Sequence, residues 1–178
     1  MNQFTSKKIT FCLCVLISLL SFGLCIWIHP FQENLTGLGW MKGHFFMMAL
    51  WMLLGCGLNA WLSSVFFWRE GKKQEARFIV AIWLGFLVGG FIPYREGPIA
   101  FLGDLHSLLC VICTGLWVGQ WTKESIFSSH LYLGKQVSQL LLLGFALSLF
   151  LCGVCGGICF AAEALFVCAQ AWILWRIK

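Results

Sequence analysis

Six stretches of this chain are each long and apolar enough to cross a lipid bilayer, and this constrains the fold more than any other feature. A hydrocarbon core about 30 Å thick takes about 20 apolar residues in a helix. Within lipid, only helices and closed barrels satisfy their own backbone. The runs are Ile9 to Ile28, Phe45 to Trp68, Phe78 to Ile92, Ile99 to Trp121, Val137 to Cys152 and Ile158 to Trp175. They are too long, and alternate too little, to be barrel strands. The last two belong to one apolar stretch that must fold back on itself. Gly153, Gly156 and Gly157 are the cluster that can make that bend. The fold class is therefore all-α, a polytopic transmembrane bundle of six helices.

Charge supports the same reading. Of the 178 residues, 60% are hydrophobic and 11% charged, against about 25% charged in an ordinary soluble domain. So little charge cannot cover a water-facing surface. A soluble globule, a disordered tail and a basic nucleic-acid reader are excluded. The segments between spans, His29 to His44 and Lys123 to Lys135 being the longest, are too short for a core of their own. Residues 1–178 are read as a single integral membrane domain. The first run exceeds the roughly 7–15 residues of a signal-peptide core and lacks an A-x-A site, so it is read as a retained helix.

Orientation follows from lysine and arginine. Lys7 and Lys8, then Arg69, Lys72, Lys73 and Arg77, then Lys123 and Lys135, then Arg176 and Lys178 fall on one side of six alternating spans. Lys42 and Arg95 alone fall on the other. The positive-inside rule puts both termini in the cytoplasm, and the localisation expected is the cell membrane, multi-pass.

Most remaining features have structural readings. The ten cysteines all lie in apolar runs, where Cys serves as a small apolar residue. Trp27, Trp40, Trp68, Trp121 and Trp175 stand near span ends, as an aromatic belt would. Gly85-x-x-x-Gly89, Gly115-x-x-x-Gly119 and Gly153-x-x-x-Gly157 permit close helix contacts, while Asn59, Ser63, Ser64 and Gln170 read as interhelical glue. Asn34-Leu-Thr36 is a formal glycosylation sequon.

Ionisable groups inside spans are costly and mark functional candidates. Here they are Asp104 and His106 in the fourth span and Glu163 in the sixth. At about 1.5 Å per residue, all three lie roughly 8–10 Å below the outer surface. His44 opens the second span from that side, and Arg95 sits in the outer turn above. The candidate polar site is thus Asp104, His106, Glu163, His44 and Arg95. It could bind a cation, relay a proton or do acid–base work. The competing reading is a clamp, with His106 donating to Glu163 or Arg95 pairing with Asp104. Asp104 and His106 are two residues apart, so they face different directions on one helix. His106, Cys110 and Cys113 share a helical stripe, but i to i+7 spans about 10 Å, too far for one ion. No metal, cofactor or catalytic residue is assigned. Cys152, Cys155 and Cys159 surround the glycine bend, where a redox pair could form if that side is oxidising.

The segment Gly90-Phe-Ile-Pro-Tyr-Arg-Glu, followed by Leu105-His106, resembles the G-x-F-P … H signature of small six-span proteins. The DUF998 family of bacteria and the eukaryotic Frag1/DRAM/Sfk1 family share it loosely. Gly-Ile-Cys-Phe-Ala-Ala-Glu163 resembles the polar residue early in their last span. The resemblance implies cytoplasmic termini and makes Pro93, His106 and Glu163 the matching positions. It implies no agreed catalytic activity; some relatives are linked to lipid-anchor remodelling or lipid regulation.

Three functions are carried forward. The first is a non-enzymatic protein that binds or organises lipid in the outer leaflet half. The second is a small proton-coupled transporter using Asp104, His106 and Glu163. The third is a membrane-embedded lipid-modifying enzyme with His106 as base. The partners expected are membrane lipids, with a lipid or small molecule as ligand and no nucleic acid; a homo-oligomer is left open.

Overall fold

The computed structural model describes residues 3–93, 100–127 and 132–177. All secondary structure among them is helical: α1 (Gln3–Leu24), α2 (Leu35–Trp40), α3 (Phe45–Arg69), α4 (Lys73–Phe91), α5 (Ala100–Phe127), α6 (Tyr132–Cys155) and α7 (Phe160–Ile177). All but α2 are long and apolar enough to cross a membrane. The chain is thus compatible with a multi-pass integral membrane protein.

Helix ends depart from the apolar runs for local reasons. α1 stops at Leu24, four residues before the run does, in a series of tight turns that begins with Cys25 N–H donating to Phe22 O at 3.1 Å. α4 starts at Lys73 and α5 reaches Phe127, because polar residues there pair between helices instead of ending them. Lys72 Nζ bonds both Glu124 oxygens, at 2.6 and 2.7 Å, and Lys123 reaches Glu75 at 3.3 Å. Trp121 is consequently internal to α5 and fully buried, so it is not part of an aromatic belt. α6 runs on to Cys155, which makes Gly153 helical. Gly156, at φ +73°, turns the chain, in a region that only glycine enters without steric cost.

In packing, α3 to α7 form a ring in which each helix touches the next and α7 closes back on α3. α1 lies outside, in the groove between α3 and α7. Trp175 Nε1 donates to Lys7 O at 3.2 Å, so the start of α1 and the end of α7 share one face of the bundle. Rings fill the centre. Phe166 of α7 meets Trp83 and Phe86 of α4, Trp117 of α5 and Phe145 of α6, with centroids 4.9 to 6.2 Å apart. Such pairs add about 0.5–1.5 kcal/mol each beyond burial.

Polar residues tie α7 to its neighbours. Asn59 Nδ2 donates to Gly55 O and Val167 O, both at 3.0 Å, and Gln170 Nε2 donates to Ser63 Oγ at 3.2 Å. These three residues act as the glue read from sequence. Ser64 instead bonds Trp61 O in its own helix. Of the glycine pairs, only Gly85 and Gly89 face a neighbour, the sulfurs of Cys113 and Cys110. A side-chain carbon at Gly115, Gly119, Gly153 or Gly157 would meet nothing.

Candidate functional site

The face opposite the paired ends of α1 and α7 is covered by residues 25–44, which include α2 and are linked by backbone hydrogen bonds. Asn34 caps α2 by accepting Gly37 N–H at 2.8 Å. Leu35 and Leu38 are buried, and α2 packs on α3 and α4. The first turn of α7 meets this cover. Phe160 N–H donates to Glu33 O at 2.7 Å and Ala161 N–H to Pro30 O at 2.8 Å. Glu163, three residues into α7, accepts Leu35 N–H at 2.9 Å. One carboxylate thereby satisfies a first-turn amide of α2 and fastens the cover to the bundle.

At the rim, Lys42 Nζ bonds Glu33 Oε2 at 2.8 Å and Trp27 O at 2.9 Å, and His29 N–H donates to the same carboxylate at 2.7 Å. The Lys42 ammonium foremost, then the His29 amide, hold the Glu33 carboxyl below the usual carboxylate range.

The other candidates have partners of their own. His106 Nδ1 lies 2.8 Å from Gly89 O, which fixes that nitrogen as the N–H donor. Its Nε2 then faces Cys110 Sγ at 4.0 Å. Asp104, two residues before His106, stands on the exposed side of α5. His44 packs against the Trp27 ring, 5.7 Å between centroids. Arg95, and with it the expected pairing to Asp104, lies outside the described residues. Glu163 bonds the Leu35 amide and His106 the Gly89 carbonyl, where the sequence suggested a bond between these two side chains.

Among the described residues, no three His, Cys, Asp or Glu side chains gather closely enough to hold a metal ion. The arrangement ties α2 to α7 through one carboxylate and brings one thiol to one imidazole. A cavity of about 180 Å³, walled by Leu62, Phe66, Leu133 and Leu174 with Arg69 at its edge, lies at the opposite end of the bundle. Sequence reasoning missed two parts of this region: α2 itself, signalled only by Asn34 followed by Leu35 and Leu38, and the Gly89 carbonyl as the group that orients His106.

No family model, no curated protein and no solved structure matches this chain.

Proposed function

We propose that the protein binds lipid without transforming it, at the face covered by α2, as a multi-pass protein of the cell membrane with both termini in the cytoplasm. Support for the orientation is the basic residues of the opposite face, ten of the chain's twelve, under the positive-inside rule. The α2 face then meets the outer leaflet. The single observation that carries the lipid reading is Asp104. It is an exposed carboxylate four residues into α5, about 6 Å along the helix axis and so near headgroup depth. Exposed Leu108 and Val111 follow it down the same helix, and exposed Phe101 stands one turn before it. A carboxylate above an apolar ridge complements a lipid with an ammonium headgroup and acyl chains. Glu163 and His106 keep α2, α4, α5 and α7 in register behind it. The resemblance to the Frag1/DRAM/Sfk1 group, where some members are linked to lipid regulation, points the same way and is part of the proposal.

The aromatic packing around Phe166 fills the ring centre, which supports a binder over a carrier that needs polar groups at mid-depth. The test is lipid retention. Protein reconstituted in mixed phosphatidylethanolamine and phosphatidylglycerol is extracted and its bound lipid weighed by native mass spectrometry. The wild type is expected to retain phosphatidylethanolamine. Asp104→Asn is expected to lose about fivefold in that preference, the equivalent of an exposed ion pair of about 1 kcal/mol. Equal retention of both lipids by wild type and variant would overturn the reading.

A further inference from the structure

The apolar core is incomplete at the end of the bundle that carries the basic residues. A cavity of about 180 Å³ lies there between the last two turns of α3, the start of α6 and the end of α7. Close-packed interiors hold few voids larger than a water molecule, and this one has several times that volume. Below its mouth the walls are hydrocarbon: Leu62, Val65 and Phe66 of α3, Leu133 of α6, and Leu174 and Ile177 of α7. Such walls give water nothing to bond, whereas an apolar cavity of roughly 150 Å³ takes a benzene-sized ligand. Positions 62, 65, 66 and 69 recur at helical spacing, so Arg69 stands at the mouth of the stripe whose deeper members line the wall. Leu62 and Arg69 are about 10 Å apart along the helix axis. An apolar slot of that depth with a guanidinium at its mouth fits the first part of an acyl chain and an oxyanion above it.

Charge around the mouth selects the headgroup. Arg69 offers five N–H donors in a planar fork, enough to bond an oxyanion beside the neighbour it already holds. Glu70 shares the rim. The other two acids of this face are held by lysines, Glu124 by Lys72 at 2.6 Å and Glu75 by Lys123 at 3.3 Å. Ten of the chain's twelve basic residues fall on this face, so the field over the mouth is positive. Basic pockets between membrane helices on such a face hold acidic lipid headgroups. We propose that this cavity is a second lipid site, which takes one acyl chain between α3, α6 and α7 and its oxyanion at Arg69. The lipid is an amphipathic anion, supplied as a free fatty acid or as an acidic phospholipid of that leaflet. The inference shares the membrane reading above but not the Asp104 site, which lies at the opposite end of the bundle and is tested by a different variant.

The full chain in lipid nanodiscs is irradiated with palmitic acid carrying a diazirine in the first half of its chain, or with phosphatidylglycerol so labelled, and peptide-mapped by mass spectrometry. Saturable label is expected at residues 62–69 and 174–177, displaced by excess unlabelled palmitate, while lipid-facing Leu108 and Val111 take label that does not saturate. Label from either probe supports the proposal, and which probe gives it names the source. Hexadecanol with the same diazirine should label the cavity about fivefold less, the worth of an exposed ion pair. Val65→Phe, which fills the cavity, should lower the palmitate label severalfold. Arg69→Gln should lower it about fivefold, and Glu70→Gln, which removes the acid from the rim, should raise it. Absence of saturable label at these residues would overturn the proposal. So would equal labelling by hexadecanol and palmitate, or a loss of label in Glu70→Gln, the sign of an ammonium headgroup. The wild-type comparison of palmitate with hexadecanol decides alone if a variant fails to fold.

Discussion

Lys72→Met should harm this protein far more than Glu124→Gln, although both break the same ion pair. Lys72 Nζ bonds both Glu124 oxygens at 2.6 and 2.7 Å, and the side chains are 31% and 4% exposed respectively. Removing the lysine strands a carboxylate that water hardly reaches, a loss of about 3–5 kcal/mol. Removing the negative charge leaves an ammonium that can turn to solvent, while the new amide still accepts a hydrogen bond. That loss is about 1 kcal/mol. The double change Lys72→Met with Glu124→Leu should return to within about 1 kcal/mol of wild type, because apolar packing replaces a buried pair without leaving a lone charge. The readout is unfolding by sodium dodecyl sulfate in mixed micelles, followed by tryptophan fluorescence. A 3 kcal/mol loss is a change of roughly 150-fold in the unfolding constant. Equal losses for the two single variants, or a double variant worse than Lys72→Met alone, would refute the reasoning.

Glu163→Ala should leave the Leu35 amide without an acceptor, a cost of about 1–3 kcal/mol, and speed hydrogen exchange at residues 35–38; Glu163→Gln should do so less. Gly55→Ala places a methyl 2.9 Å from Val167 Cγ1, a stiff β-branched neighbour, and should cost about 1–3 kcal/mol in the same unfolding assay. Gly153→Ala meets nothing and should be neutral or stabilising by up to about 1 kcal/mol. The depressed Glu33 carboxyl contributes stability above the unfolded value of about 4.3, which fades as pH falls through its lower folded value; Lys42→Met should flatten that part of a pH–stability curve. Because Asn34 Oδ1 caps α2 and Thr36 is buried, expression in a eukaryotic secretory membrane should give no glycosidase-sensitive mobility shift.

Lengths and helix type were legible in the chain because a bilayer imposes a minimum apolar run, and all six spans occur as helices. The short α2 was not, since six residues carry too little periodicity to separate a helix from a loop. The glycine pairs show why spacing has limits. It puts two residues on one face, but only packing decides whether that face meets a neighbour, as Gly85 and Gly89 do and Gly115 and Gly119 do not. The polar candidates were visible as residues, whereas their partners were not. Glu163 bonds an amide 128 positions away and His106 a carbonyl 17 positions away. Backbone atoms are the same at every residue, so nothing in the sequence marks which one will serve.

Chain order gives the Phe166 cluster a further meaning. Its rings come from α4, α5, α6 and α7, and α7 follows the other spans in the chain. Until α7 enters the membrane, Trp83, Trp117 and Phe145 lack their shared contact, α1 lacks one wall of its groove, and the Asn59 amide has no Val167 carbonyl to reach. Earlier spans can insert one at a time, but they cannot settle into their final arrangement. The contacts that lock α1, α3, α4, α5 and α6 together thus depend on a helix made after all of them.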